Sequence, residues 1–113
     1  MSFPLDQIEE LKEFSNDINV CEESGIQFVM LKDLQLPVGC KPEVCDVLLC
    51  PTQRDNYNSR LFFSVLVQSP QQRNWTPNTV RIVEKNWYVY SWKVNQTDLR
   101  LSQLLLSHLR ALR

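Results

Sequence analysis

The side chains with the widest chemical reach in this sequence are four cysteines and a single histidine. Cys40, Cys45 and Cys50 fall in C-x4-C-x4-C spacing within Leu34 to Pro51, and Cys21 lies nineteen residues before Cys40. Structural zinc sites favour close cysteine knuckles. Here Cys45 and Cys50 are separated by an odd number, so on a strand they point to opposite faces. That argues against a shared metal, and no metal is expected. Free cysteine packs as a small hydrophobe, which is the expected role for most of these thiols. Cys40 is the exception. It sits between Gly39 and Lys41 in a turn, where a nearby ammonium favours the thiolate, so it is the candidate nucleophile. His108 lies on a leucine stripe near the C-terminus and reads as a packing histidine. A Cys–His pair would need the two brought together in space.

Other chemistries are excluded by absence. Two glycines rule out most phosphate-cradling loops, and neither G-x-x-x-x-G-K-[ST] nor G-x-G-x-x-G occurs. No H-E-x-x-H and no deaminase-type H-x-E with C-x-x-C occurs. No cofactor is implied. The carboxylates gather near the N-terminus, in a pattern that looks solvated.

The elements that must position these residues follow from periodicity. Leu5, Ile8, Leu11 and Phe14 recur at helical spacing after Pro4, with Glu9, Glu10, Lys12 and Glu13 on the other side. This predicts a helix from about Leu5 to Asn16, whose acidic face is a candidate docking surface. Ile18 to Cys21 is a short strand, and Glu23-Ser24-Gly25 a turn. Ile26, Phe28 and Met30 share one face of the next strand. Leu34 and Leu36 continue that parity across Lys32 and Asp33, which makes one long strand with room for a bulge. Gly39 to Pro42 turns the chain, and Val44 to Cys50 is a nearly apolar strand broken only by Asp46. Leu61 to Val67 reads as a central strand.

Ser69 to Asn78 is a long loop containing Trp75. Val80 to Val83 and Trp87 to Val94 form a hairpin across Glu84-Lys85-Asn86. In its second arm Tyr88, Tyr90, Trp92 and Val94 share one face, and Trp87, Val89 and Ser91 the other. Thr97 caps a last helix from about Asp98 to Leu112. Helix, four or more strands, then helix, with short links, implies an α+β domain over residues 1–113 built on an antiparallel meander.

Charge is uneven along the chain. Residues 1–50 hold ten acids and three bases (−7), and residues 51–113 three acids and nine bases (+6), for a total of −1. Two oppositely charged faces would suit a protein partner; interleaved charges would cancel. The basic half carries Phe62, Phe63, Trp75, Trp87, Tyr88, Tyr90 and Trp92. Most alternate with aliphatics as core residues do. With a pI near 5.8, a nucleic-acid platform is not expected. No apolar run approaches the roughly eighteen residues of a membrane span. The N-terminal MSFPLDQIEELKEF is acidic and amphipathic, unlike a signal or transit peptide, so a cytoplasmic location is expected.

Several short phrases are similar to a known family. Leu36-Pro37-x-Gly39, then Val44-x-Asp46-Val47-Leu48-Leu49, a tyrosine in the next loop (Tyr57), Trp87-Tyr88-Val89-Tyr90-Ser91 and a closing leucine-rich helix are the phrases concerned. Over residues 18 to 112 the chain resembles bacterial ubiquitin-conjugating-enzyme-like (UBC-like) proteins, most nearly prokaryotic UBC-like family E. The resemblance implies an N-terminal helix, a four-stranded antiparallel meander, a flap region and a C-terminal helix. It also implies work beside a ubiquitin-like protein, a ThiF-type activating enzyme and a JAB-type peptidase, in gene sets associated with antiphage defence.

The departures bear on catalysis. In catalytic relatives the transfer cysteine follows the meander, often after His-Pro-Asn. Here no cysteine follows Cys50, and the flap region 69–78 has no histidine. Asn58 follows Tyr57 where proline is usual, and Trp92-Lys93 follow Ser91 where a histidine is expected. The leading expectation is therefore a non-catalytic or atypical carrier that binds the ubiquitin-like protein or its activating enzyme. Its candidate contacts are Glu9, Glu10, Glu13, Tyr57 and Trp75. The alternatives are an active enzyme with a thioester on Cys40, or an unrelated small protein-binding module.

Overall fold

The computed structural model describes residues 4–52, 57, 59–92, 94 and 99–112. The elements run α1 (Leu5–Leu11), β1 (Asp17–Glu23), β2 (Ile26–Gln35), β3 (Val44–Cys50), β4 (Arg60–Phe63), β5 (Val80–Ile82), β6 (Lys85–Trp87) and α2 (Leu101–Arg110). The first four strands form one antiparallel sheet in the order β1-β2-β3-β4, and β5 pairs with β6. This is the expected α+β architecture, with a helix at each end of a four-stranded meander.

α1 is shorter than its apolar spacing predicts. After Leu11 the amides of Lys12, Glu13 and Phe14 reach back only three residues, to Glu9, Glu10 and Leu11. Ser15 then ends the run. Its hydroxyl donates to the Lys32 carbonyl at 2.5 Å and accepts from the Asp17 amide at 3.2 Å, steering the chain into β1. A serine that bonds neighbouring backbone competes with the helical ladder. The β1–β2 turn uses Ser24 and Gly25, both at positive φ (54° and 80°), which matches the primed turn a two-residue hairpin needs.

β2 corrects the expected parity. Phe28 and Met30 pack in one apolar cluster, whereas Leu34 and Leu36 pack in the other, beside Val29 and Leu31. The register with β3 shifts between Leu31 and Leu34, and Asp33 sits at φ 53°. This bulge inserts a residue and moves every later side chain to the opposite face. Asp46 explains why a polar residue interrupts β3. One carboxylate oxygen accepts from the Asp33 amide at 3.0 Å, which satisfies the bulged backbone.

The sheet is covered on both faces. On one side Val29, Leu31, Leu34, Cys45, Val47, Leu49, Leu61 and Phe63 pack with Leu11 of α1 and with Leu101, Leu104, Leu105 and Leu109 of α2. On the other, Phe28, Met30, Leu48, Cys50 and Phe62 pack under Ile82, Trp87 and Val89 from the β5–β6 arm. That arm turns earlier than predicted, on Val83 and Glu84 at φ 51° and 63°. The Glu23 carboxylate accepts from the Val83 amide at 3.0 Å and holds the turn against the meander. The expected alternation beyond it holds: Trp87 and Val89 face one cluster, and Tyr90, Trp92 and Val94 the other.

β4 stops at Phe63 rather than running to Val67. Phe63 and Tyr88 exchange two backbone hydrogen bonds of 2.7 Å, so residues after Trp87 take the place beside β4. α2 begins at Leu101; Thr97 and Asp98 lie outside the described residues. Among the described residues no helix is long and apolar enough to cross a membrane.

Candidate functional site

The three strand-region cysteines are closed off by the fold. Cys45 and Cys50 lie on opposite faces of β3, as their odd spacing requires, and are 7% and 0% exposed. Burial, with the Asp46 charge adding to it, pushes the Cys45 thiol up to about 11. Cys50 donates to the Thr52 carbonyl at 3.3 Å. Cys40 is more enclosed than its place in a turn suggests. It is only 2% exposed and packs in the helix-side cluster. Its pKa is raised by burial, the reverse of what a neighbouring ammonium would do. A buried, protonated thiol is a poor nucleophile. Cys21 is half-buried on β1.

A Ser–His pair was not anticipated. Ser59 Oγ and His108 Nε2 share a hydrogen bond of 2.8 Å, and both residues are 1% exposed. Desolvation, followed by the Arg60 charge, pushes His108 down to about 4, so the imidazole is neutral at neutral pH. The Tyr90 hydroxyl donates to the His108 carbonyl at 2.5 Å, and Arg60 donates to the Tyr90 carbonyl at 3.4 Å. The pair is enclosed, and it ties α2 to the residue that leads into β4. Its sequence signal was slight, because a serine before a strand and a histidine on a leucine stripe are common.

The candidate contact residues separate into two groups. Glu9 pairs with Lys12 at 2.8 Å, and Glu13 is exposed. Glu10 is engaged within the molecule: both its oxygens accept from Arg100 Nε, at 3.0 and 2.9 Å, and one accepts from Ser102 at 3.0 Å. Asp6 accepts from the same guanidinium at 2.6 Å. Hydrogen bonding to Arg100 lowers the pKa of both carboxyls. This cluster joins the acidic first half of the chain to the basic second half, so part of the charge asymmetry cancels across α1 and α2.

Tyr57 and Trp75 connect to each other through shared neighbours. The Arg60 guanidinium lies 4.2 Å from the centre of the Tyr57 ring. Arg60 reaches Tyr90, whose ring is 5.0 Å from Trp75 and 5.7 Å from Phe63. Trp75 is half-buried and meets Phe63 edge-on at 5.5 Å. One side of Trp75 therefore caps the core.

Its other surroundings form a pocket of about 520 Å³, lined by Leu66, Val67, Gln68, Ser69, Gln72, Arg73 and Trp75. The chain forms it because Ser64 bends away from the sheet. The Ser64 amide donates to the Asp46 carbonyl, and its hydroxyl accepts from the Asp46 amide at 3.2 Å. The next turn is locked to the preceding meander loop, since Lys41 and Gln68 exchange two backbone hydrogen bonds of 2.8 Å. Gly39, at φ 93°, leaves room for Pro70; a Cβ there would meet the proline ring at 2.7 Å. At this junction Val38, Val65 and Leu66 are exposed by 97%, 39% and 54%.

Arg73 gives the pocket its polarity. Its Nε donates to the carbonyl of Ala111 at the end of α2, and its guanidinium lies 4.5 Å from the centre of the Trp92 ring. Sequence reasoning missed Arg73, because an isolated loop arginine carries no periodic signal. Among the described residues no group of three or more metal-ligating side chains gathers. Comparisons with family models, with curated proteins and with solved structures found no match.

Proposed function

We propose that the protein is a UBC-like component of a bacterial ubiquitin-like conjugation system, of the kind associated with antiphage defence. It acts in the cytoplasm as a non-catalytic or atypical carrier, binding the ubiquitin-like protein or its ThiF-type activating enzyme. The observation that carries this reading is the order of elements: one helix, a four-stranded antiparallel meander, a loop-rich stretch and a closing helix on one sheet face. This is the order the motif resemblance implies. Burial of Cys40 supports the non-catalytic form of the reading over a thioester on that residue.

The test is reconstitution with a ThiF-type activating enzyme and a ubiquitin-like protein from the same genome, plus ATP. A stable non-covalent complex with no reductant-sensitive adduct is expected. An adduct lost in Cys40→Ser would establish the active-enzyme alternative. Absence of any complex would favour an unrelated binding module.

A further inference from the structure

We infer that the pocket beside Trp75 binds an extended acidic segment of a partner protein, with an aspartate or glutamate on Arg73 and an apolar side chain two residues away in the cavity. The inference rests on the protein being a binding module, but not on the identity of its partner. Arg73 is the first reason. Its Nε is committed to the Ala111 carbonyl and its plane is held by the Trp92 ring. Among the described residues nothing accepts from its two terminal nitrogens. A guanidinium fixed at its root, with no acceptor on its outer nitrogens among the described residues, matches the two oxygens of a carboxylate and loses little freedom on binding.

The second reason is charge. Neither the pocket loop 64–76 nor the adjoining loop 36–42 contains an acid, whereas each contains one cation, Arg73 and Lys41. Lys41 is exposed and pairs through its backbone with Gln68 of the pocket wall. This cationic surface stands out on a chain of net charge −1. Two cations suit a segment with more than one carboxylate better than a single chain terminus.

The third reason is extent. The pocket volume falls within the usual range of about 300–1,000 Å³ for ligand sites. Yet the apolar surface runs beyond it, over Leu66, Val65 and Val38. A compact ligand would leave these residues in water; an extended chain covers them. Residues two apart in an extended chain face the same side, which sets the spacing of acid and apolar group.

The probe is an acetylated, amidated peptide of repeated Ser-Leu-Ser-Asp, titrated into the full chain and followed by calorimetry and tryptophan fluorescence. Saturable binding that weakens with salt is expected. Arg73→Gln should weaken it by about tenfold or more, the scale of one charge-assisted pair. Because Arg73 also braces α2, two surface variants keep the test sound. Leu66→Ser and Lys41→Gln should each weaken binding severalfold while leaving the unfolding midpoint unchanged. Two further peptides complete the set, one with asparagine for aspartate and one with asparagine plus a free C-terminal carboxylate. Equal binding of the asparagine peptide would overturn the inference, as would tighter binding of the free-carboxylate peptide. So would indifference to both surface variants.

Discussion

The chain on either side of Phe63 follows two different rules. Before it, the meander is regular and closed. β2, β3 and β4 interlock through antiparallel ladders with one register shift between Leu31 and Leu34, and most of their side chains are buried. After it, residues 64–76 make few ladder contacts and leave Val65 and Leu66 in water beside a pocket. The residues with intrinsic reactivity, Cys40, Cys45, Cys50 and His108, are buried around the meander. The residues with recognition value, Trp75, Arg73 and Leu66, lie after it. Here these three thiols and the imidazole are enclosed by packing, and what the loop surface offers is shape and charge.

The strongest way to break that contrast is to cut a large residue from each region. Phe62 is 0% exposed between the sheet and the β5–β6 arm. Phe62→Ala should cost about 3–5 kcal/mol, the scale of a buried aromatic deletion, whereas Leu66→Ala should stay within about 0.5 kcal/mol. Denaturant unfolding measures both. Equal losses would mean that the loop is part of the core.

The next effect is pH-dependent. His108 is held near 4 in the fold against about 6.5 in the unfolded chain, so the unfolded state takes up its proton first. Stability should be unaffected above about pH 6.5, fall as pH drops toward about 4, and level off below that. The full loss is ~3 kcal/mol. His108→Gln should remove the slope while keeping a partner for Ser59. The carboxyls of Asp6 and Glu10 act in a lower window. Their pKa values are lowered by Arg100, so their contribution is present above the ordinary carboxylate range and lost as pH falls through the depressed values. Unfolding of the two variants Arg100→Ala and His108→Gln across pH separates the windows.

Asp46→Ala probes the bulge within the meander. It removes the acceptor on the bulged Asp33 amide and should cost about 1–2 kcal/mol. Arg100→Ala should have the smallest effect on stability, and salt should diminish it, because the ion pairs it breaks are exposed.

How much of this the sequence discloses depends on whether a residue belongs to a repeating pattern. The meander was legible because Val44 to Cys50 and Ile26 to Leu31 are apolar at strand spacing between turn residues. The opposite faces of Cys45 and Cys50 followed from parity alone. The face of Leu34 did not, because one left-handed residue at Asp33 reverses parity without changing the apolar pattern. The end of α1 was hidden for a related reason: Phe14 fits the helical stripe, but Ser15 bonds backbone on β2. In the candidate site Trp75 was found by residue type. Arg73 and the Ser59–His108 pair were not, since each depends on contacts across at least 38 positions of the chain.

If the proposed binding role holds, recognition resides in the loop surface and not in a thiol. One comparison tests it: capture of the proposed partner, a ubiquitin-like protein or an activating enzyme, by wild type, Leu66→Ser and Cys40→Ser, each checked for folding. Leu66→Ser should lose most of the complex and Cys40→Ser should retain it. Retention by Leu66→Ser with loss by Cys40→Ser would contradict it.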